Sequence, residues 1–172
     1  MEEPLGFLAK SSLTLVESEV ESSVDGWERL YRDEGPRLWR ALFDYSRDRD
    51  IANDALDEAF TQAIARDHRI RDPSSWIWTT AFKVASGELK RRRRTSTFKD
   101  PGHAYEMPEP DPKLFAALQE LTPKQRAAVI LHDYADRPND EIARVLGMRV
   151  QTVHVHLSQG RKRLRELLGG DG

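Results

Sequence analysis

A chain of 172 residues with 33% charged and 38% apolar residues, and a mean hydropathy of -0.68, supports small cores beneath a heavily charged exterior. The absence of cysteine excludes a disulfide framework and any thiolate metal site. No apolar run nears the roughly 20 residues that cross a bilayer, and the acidic start "MEEPLGFLAK" lacks the basic flank of a signal peptide, so a cytoplasmic chain with no membrane insertion is expected. The formal net charge of -2 conceals an uneven distribution: acids prevail up to Gly35, whereas "KRRRR" at 90–94 and "RKRLR" at 161–165 are basic runs. Such a run binds phosphate even on an acidic chain, and it equally suits a solvated helix end, where cations complement the helix dipole.

Residues 1–24 mix serine, glutamate and short apolar stretches and read as a flexible extension. Asp25 is the expected N-cap of a helix carrying Trp27, Leu30, Tyr31, Leu38 and Leu42, with Gly35 and Pro36 marking a kink or a restart. After Asp50, Ala52, Ala55, Leu56, Ala59, Phe60, Ala63 and Ile64 fall at helical spacing, and the opposite face carries Asn53, Asp54, Asp57 and Glu58. One face buries and the other is acidic. In "DPSSWIW" Asp72 is the expected N-cap and Pro73 the first helical residue of a helix running through Ile77, Thr80, Ala81, Val84 and Leu89 into Arg91, Arg92, Arg93 and Arg94. Trp76, Trp78 and Phe82 lie beside that run. Core packing is expected for at least two of them, which leaves one at most to stack on an unpaired base.

Residues 95–112 hold four prolines and a glycine and read as a domain linker. Beyond it, Thr122 is the expected N-cap and Pro123 the first turn of a helix with the stripe Ala127, Ile130, Leu131 and Tyr134. "NDEIARVLG" follows, and the last helix buries Val150, Val153, Leu157, Leu164 and Leu167 or Leu168 at helical spacing. That leaves Gln151, Thr152, His154, Val155, His156, Ser158 and Gln159 outward. No strand and no repeat is expected, so the fold class is all-α.

The last two helices meet the physical needs of a helix-turn-helix. Ala143 is small where the helices nearly touch, Gly147 tolerates the positive φ of the turn, and the second helix presents polar side chains from its N-terminal half. An ordinary packed helical corner satisfies the same short pattern. His154 and His156 stand two residues apart, about 200° around a helix of 3.6 residues per turn, and do not share a metal. Asp57 and Glu58 sit on a solvated face with no nucleophile or Gly-rich phosphate loop beside them. Neither a catalytic site, a metal nor a cofactor is expected.

The stretch "LYRDEGPRLWRALFDYSRDRDIANDALDEAFTQAIAR" resembles sigma region 2, whose helix "A-x-D-L-x-Q-E-A-F" reads here as "ANDALDEAF". "LTPKQRAAVILHDYADRPNDEIARVLGMRVQTVHVHLSQGRKRLREL" resembles sigma region 4. From about Trp27 to Leu168 the chain is therefore similar to an extracytoplasmic-function sigma factor, the compact class of bacterial transcription initiation factors. The resemblance implies a region 2 domain at 25–94, a linker at 95–112 and a region 4 domain at 113–172. It implies core RNA polymerase as partner, with Asn53, Asp54, Asp57 and Glu58 docking on the β′ clamp helices and region 4 on the β subunit. Promoter DNA is the second partner. The helix from Trp76 to Arg94, with Lys83 and Arg91 to Arg94, would read the minus-ten element, and the loop "DHRIRDPS" would capture a flipped base, whose Watson–Crick edge melting exposes. Arg149, Gln151, Thr152, His154, His156, Ser158, Gln159, Arg161 and Lys162 would face the minus-thirty-five element. An anti-sigma factor is a further partner that the resemblance brings into view.

Some positions depart from the family pattern. Asp57 stands where glutamine is common, "FKVASG" puts Lys83 and Gly87 in place of the asparagine and aspartate of "R-N-x-x-x-D", and His154 and His156 occupy positions often held by lysine and arginine. Two other readings stay open on the sequence. One is a helix-turn-helix regulator whose N-terminal helices sense a signal or dimerise, and the other a sigma-like adaptor acting through protein interaction only.

Overall fold

A computed structural model describes residues 5–95 and 111–169, without the side chains of 5–14 and 18–22. Regular structure among the described residues is helical throughout: α1 (Leu5–Ser46), α2 (Arg49–Arg66), α3 (Pro73–Thr95), α4 (Pro112–Gln119), α5 (Pro123–Val129), α6 (Asn139–Leu146) and α7 (Val150–Leu168). Most of the expected linker, residues 96–110, lies outside the described residues.

Helix α1 departs most from expectation. It begins at Leu5, runs through Asp25 and continues past Gly35 and Pro36 without a restart. Asp25 is no cap; its carbonyl accepts a hydrogen bond from Arg29 Nε at 3.2 Å. A proline inside a helix costs on the order of 3 kcal/mol. That cost is outweighed because Trp27, Leu38, Trp39, Leu42 and Tyr45, on both sides of it, are buried, each large apolar side chain contributing roughly 1.5–3 kcal/mol. Once this stripe holds the helix, extending it towards Leu5 needs no new nucleus, which is why a serine- and glutamate-rich segment continues it.

Asp48 caps α2 by accepting from the backbone N–H groups of Asp50 (2.9 Å) and Ile51 (3.1 Å). Ile51, Ala52, Ala55, Leu56, Ala59, Phe60 and Ala63 are buried as the spacing predicts, but Ile64 is 50% exposed. Asp72 caps α3 through Ser75 N–H at 3.0 Å. Three indoles lock α1, α2 and α3 together, each donating at 2.7 Å to a side chain elsewhere in the group: Trp27 to Asp67, Trp39 to Asn53 and Trp78 to Glu34. A buried indole N–H without such a partner would be costly. Trp78 and Phe82 are core residues, as expected for two of the three aromatics, and Trp76 packs partly buried against the same core.

Asp111 caps the short helix α4, of which only Pro112 falls within the span read as linker. Thr122 and Gln125 form a reciprocal capping box at the start of α5, with contacts of 3.3 and 3.2 Å. The chain then widens into an i→i+5 turn, Ala135 N–H reaching Ile130 carbonyl at 3.0 Å. Helix α7 buries Val153 and Leu157, with Val150 and Leu164 half-buried; Leu167 and Leu168, expected in the core, are exposed.

The second helical group packs on the first, and the apolar core runs through both. Phe115 of α4 stacks on Phe43 of α1 with centroids 5.4 Å apart, and Gln119 donates to the Asp44 carbonyl at 2.9 Å. Arg126 of α5, only 4% exposed, donates to the carbonyls of Tyr45 (2.7 Å), Leu118 (3.4 Å) and Leu121 (3.3 Å). Arg137 lies over the Trp78 ring at 5.0 Å, donates to Ser74 Oγ at 3.0 Å and pairs with Glu34 at 3.8 Å. Arg37 reaches the Tyr134 carbonyl and Asp136.

Helix α7 approaches α5 closely at Gly160, where an added Cβ would lie 2.9 Å from Val129 Cγ2. Gly160→Ala is therefore expected to lose about 1 kcal/mol in urea unfolding, overpacking outweighing the gain in helix propensity. In a Val129→Ala background the same substitution should become stabilising, by roughly 0.5–1 kcal/mol. An equal effect in both backgrounds would show that the Val129 contact does not matter.

Candidate functional site

Two surfaces hold the residues singled out by the sequence. On α2, Asp54, Asp57 and Glu58 are exposed, opposite the buried alanine and leucine stripe. Glu58 accepts from Gln62 Nε2 at 2.6 Å. Partial burial and the carboxylate of Asp50 push the Asp54 carboxyl up, Glu88 and Asp57 adding to the push and Arg92 opposing it. Asn53 is different: it is half-buried, and its Oδ1 is the acceptor that holds Trp39. Its geometry serves the packing of α1 on α2.

The cations at the end of α3 divide in the same way. Glu88 grips Arg91 Nη2 at 2.6 Å and Arg92 Nε at 3.0 Å, one helical turn on. Arg92 also reaches Asp48 at the cap of α2. The hydrogen bond from Arg91, outweighing partial burial and assisted by Arg92, holds the Glu88 carboxyl down at about 2. Lys83, Arg93 and Arg94 are exposed on the same helix and enter no ion pair with a described residue.

In the helix-turn-helix, Gly147 takes the left-handed conformation at φ 61° and ends α6, and Met148 N–H returns to the carbonyl of buried Ala143 at 3.0 Å. Arg149 occupies the N-cap position of α7, its carbonyl accepting from Thr152 N–H at 3.0 Å and Val153 N–H at 3.1 Å. Gln151, Thr152, His154, Val155, Ser158, Gln159 and Lys162 are exposed. Gln159 accepts from Gln125 at 3.2 Å, and His154 lies 3.4 Å from Asn139 Nδ2.

His156 does not join the outward set. It is half-buried, and its ring faces the seam between the two helical groups beside Tyr45, Lys90, Arg93 and Lys124. Burial, and then the charge of Lys124, push its pKa down. The periodicity of α7 placed the ring correctly relative to Val153 and Leu157; the neighbour that covers it comes from far along the chain. Arg161, too, is engaged: it pairs with Asp133 and contacts His132 Nδ1 at 2.9 Å. The hydrogen bond from Arg161, against partial burial, lowers the Asp133 carboxyl. Sequence reasoning missed Glu88, Asp48 and Asp133 as partners. Glu88 was legible from its spacing to Arg91 and Arg92, whereas the other two act only across the fold.

Residues 113–164 match the family model described as Sigma-70, region 4. Over 163 residues, 86% of this chain and 63% of the relative, the sequence is 25% identical to the ECF RNA polymerase sigma factor SigE of Mycolicibacterium smegmatis. It thus spans less than two thirds of that relative's length. It is 25% identical to the RNA polymerase sigma factor SigV of Bacillus subtilis, covering 74% of this chain and 82% of that one. For the RNA polymerase sigma factor CarQ of Myxococcus xanthus the identity is 27%, with 84% and 90% covered. The fold is similar to that of sigma factor RpoE in its complex with the anti-sigma factor NepR from Bartonella quintana, with a TM-score of 0.69, 22% identity, and 86% and 99% of the two chains covered. It is similar also to CnrH in complex with the cytosolic domain of CnrY, with a TM-score of 0.61, 17% identity, and 89% and 96% covered.

Glu88 gives the site a pH signature. Its carboxyl is held below its ordinary 4.5, at about 2, so its ion pairs stabilise the fold fully above pH 4.5 and are lost as the pH falls towards 2. Glu88→Gln should lower the urea midpoint at neutral pH, and its difference from wild type should shrink through that window. A pH-independent difference would mean that charge pairing with Arg91 and Arg92 is not what Glu88 contributes.

Proposed function

We propose that this chain, similar in sequence and fold to the extracytoplasmic-function sigma factors and carrying a sigma-70 region 4 at residues 113–164, acts as an alternative sigma factor. It binds core RNA polymerase and directs initiation at promoters by recognising minus-ten and minus-thirty-five elements. The observation that carries the reading is the helix-turn-helix, with an outward polar face on α7, following in one chain a helical group whose α2 exposes an acidic face. In this reading residues 25–94 form the region 2 domain, 95–112 the linker and 113–172 the region 4 domain. The protein has no catalytic step of its own and works in the cytoplasm. No helix among the described residues is long and apolar enough to cross a membrane.

The proposed roles follow the geometry. Asp54, Asp57 and Glu58 dock on the β′ clamp helices, with Asn53 supporting them through Trp39, and the region 4 domain meets the β subunit. Lys83, Arg93 and Arg94 are available to phosphates near the minus-ten element, while Arg91 and Arg92 are occupied by Glu88 and Asp48. Arg149, Gln151, Thr152, His154, Ser158, Gln159 and Lys162 face the minus-thirty-five element. Arg161 contributes after exchanging Asp133 for a phosphate, and His156 after leaving the seam. The two elements lie about 85 Å apart, at 3.4 Å per base pair. A compact chain of this length has a radius of gyration of about 16 Å. The two helical groups must therefore part at the seam when both elements are held.

Titration of core RNA polymerase tests the docking face. Asp57→Lys with Glu58→Lys should weaken binding at least about tenfold while shifting stability by under about 0.5 kcal/mol, as exposed substitutions do. Unchanged affinity would sink the docking assignment, and no binding by the wild type would favour a helix-turn-helix regulator instead. On promoter DNA bound with core polymerase, Arg94→Gln should lower the salt slope by about 0.9. Arg92→Gln should leave the slope nearly unchanged and lower stability.

A further inference from the structure

Between the two helical groups lies a cavity of about 310 Å3, walled by Tyr45 of α1, by Leu89, Lys90 and Arg93 of α3, by Lys124 of α5 and by His156 of α7. Among the described residues no aspartate or glutamate lines it. Several cations elsewhere are paired closely: Arg40 with Asp44, Arg92 with Asp48 and Glu88, Arg137 with Glu34, Arg161 with Asp133. Lys90, Arg93 and Lys124 form no ion pair among the described residues. Burial draws down the pKa of Arg126, the buried guanidinium of the seam, Tyr45 opposing and the charge of Arg93 adding to the shift. His156 lines the same cavity with a half-buried ring, its Nδ1 covered by the protein. Burial and Lys124 favour its neutral ring, which offers one N–H donor and one acceptor lone pair.

Like charges converging from both sides of a seam repel one another, and a bound anion would turn that repulsion into attraction for both helical groups. The walls narrow the choice of anion. Three cations suit a doubly charged phosphate monoester, half-buried Leu89, Pro123 and Leu146 offer an apolar face to a flat body, and the volume lies at the small end of the range for small-molecule pockets. We propose that the seam cavity binds a phosphate monoester of nucleoside-monophosphate size, with Lys90, Arg93 and Lys124 on the phosphate, Leu89, Pro123 and Leu146 against the base and His156 at its polar edge. Because both helical groups supply contacts, the ligand favours the joined arrangement over the parted one. The proposal goes beyond sigma-factor activity, and its test needs neither polymerase nor promoter, so its failure leaves that reading untouched.

Isothermal titration of the full-length chain with adenosine and uridine monophosphates tests it. Both should bind saturably with one site per chain, at least about tenfold tighter than inorganic phosphate or adenosine, and both should raise the thermal midpoint. Arg93→Gln and Lys124→Gln, each at an exposed position that tolerates the change, should weaken binding about tenfold, the usual loss for one charged hydrogen bond. Lys113→Gln, exposed on α4 and outside the cavity, should leave it unchanged. Absence of saturable binding overturns the proposal. Affinity no better than that of inorganic phosphate, or an equal loss in Lys113→Gln, also overturns it, since either marks general attraction of anions to a basic surface.

Discussion

The buried guanidinium of Arg126 sets the relation between the two helical groups. It forms no ion pair among the described residues and is held instead by three main-chain carbonyls, one from α1, one from α4 and one from the α4–α5 connection, with the Tyr45 ring 5.6 Å away. Burying a charge costs several kcal/mol, and burial accordingly lowers the pKa of the group. Three charge-assisted hydrogen bonds at roughly 1.5–3 kcal/mol each offset that cost. Such a contact depends on shape, since the carbonyls converge only when α1 and the α4–α5 turn are seated together. It is also separable: on parting, water replaces the Tyr45 carbonyl and no buried carboxylate is stranded. Beside it the Phe115–Phe43 stack and the Arg137–Glu34 and Arg37–Asp136 pairs cross the same seam, so arginine contacts to carbonyls, rings and carboxylates join the two helical groups.

The distribution of ion pairs assigns the remaining charges. Acids at 48, 88 and 133 occupy the cations nearest to them, leaving Lys83, Arg93 and Arg94 on one helix and Lys162 on another without an ion pair among the described residues. The acids of α2 point the other way. Asp57 and Glu58 stand over a stripe of buried alanines that keeps the helix close to α1 and α3, so a polymerase surface would meet them on a rigid backbone. In the proposed reading the chain thus offers a negative face to polymerase and a positive one to DNA while its net charge stays near zero.

Much of this was legible in the sequence where short-range chemistry decides. Asp72 with Pro73, Thr122 with Pro123, and Gly147 mark their helix boundaries by capping and by φ, and α2 announces its buried face by spacing alone. Long-range packing decided the rest. Gly35 and Pro36 argue locally for a break, yet the indoles of Trp27, Trp39 and Trp78 draw α1 into one rod against α2 and α3. Ile64, Leu167 and Leu168 fit the helical stripes but lie beyond the edge of what those stripes pack against. His156 is outward on α7 taken alone and inward once α3 and α5 are present. Gly160 carried no sequence signal, because the need for it comes from Val129 on a neighbouring helix.

The central claim is that this chain confers promoter choice on polymerase, and reconstituted transcription from a library of genomic fragments, with start sites sequenced, tests it most directly. Core RNA polymerase with the chain should start at a defined set of positions absent without it, each preceded by two short shared sequences near minus ten and minus thirty-five. Start sites that are unchanged by adding the chain, or that share no upstream sequence, would contradict the account.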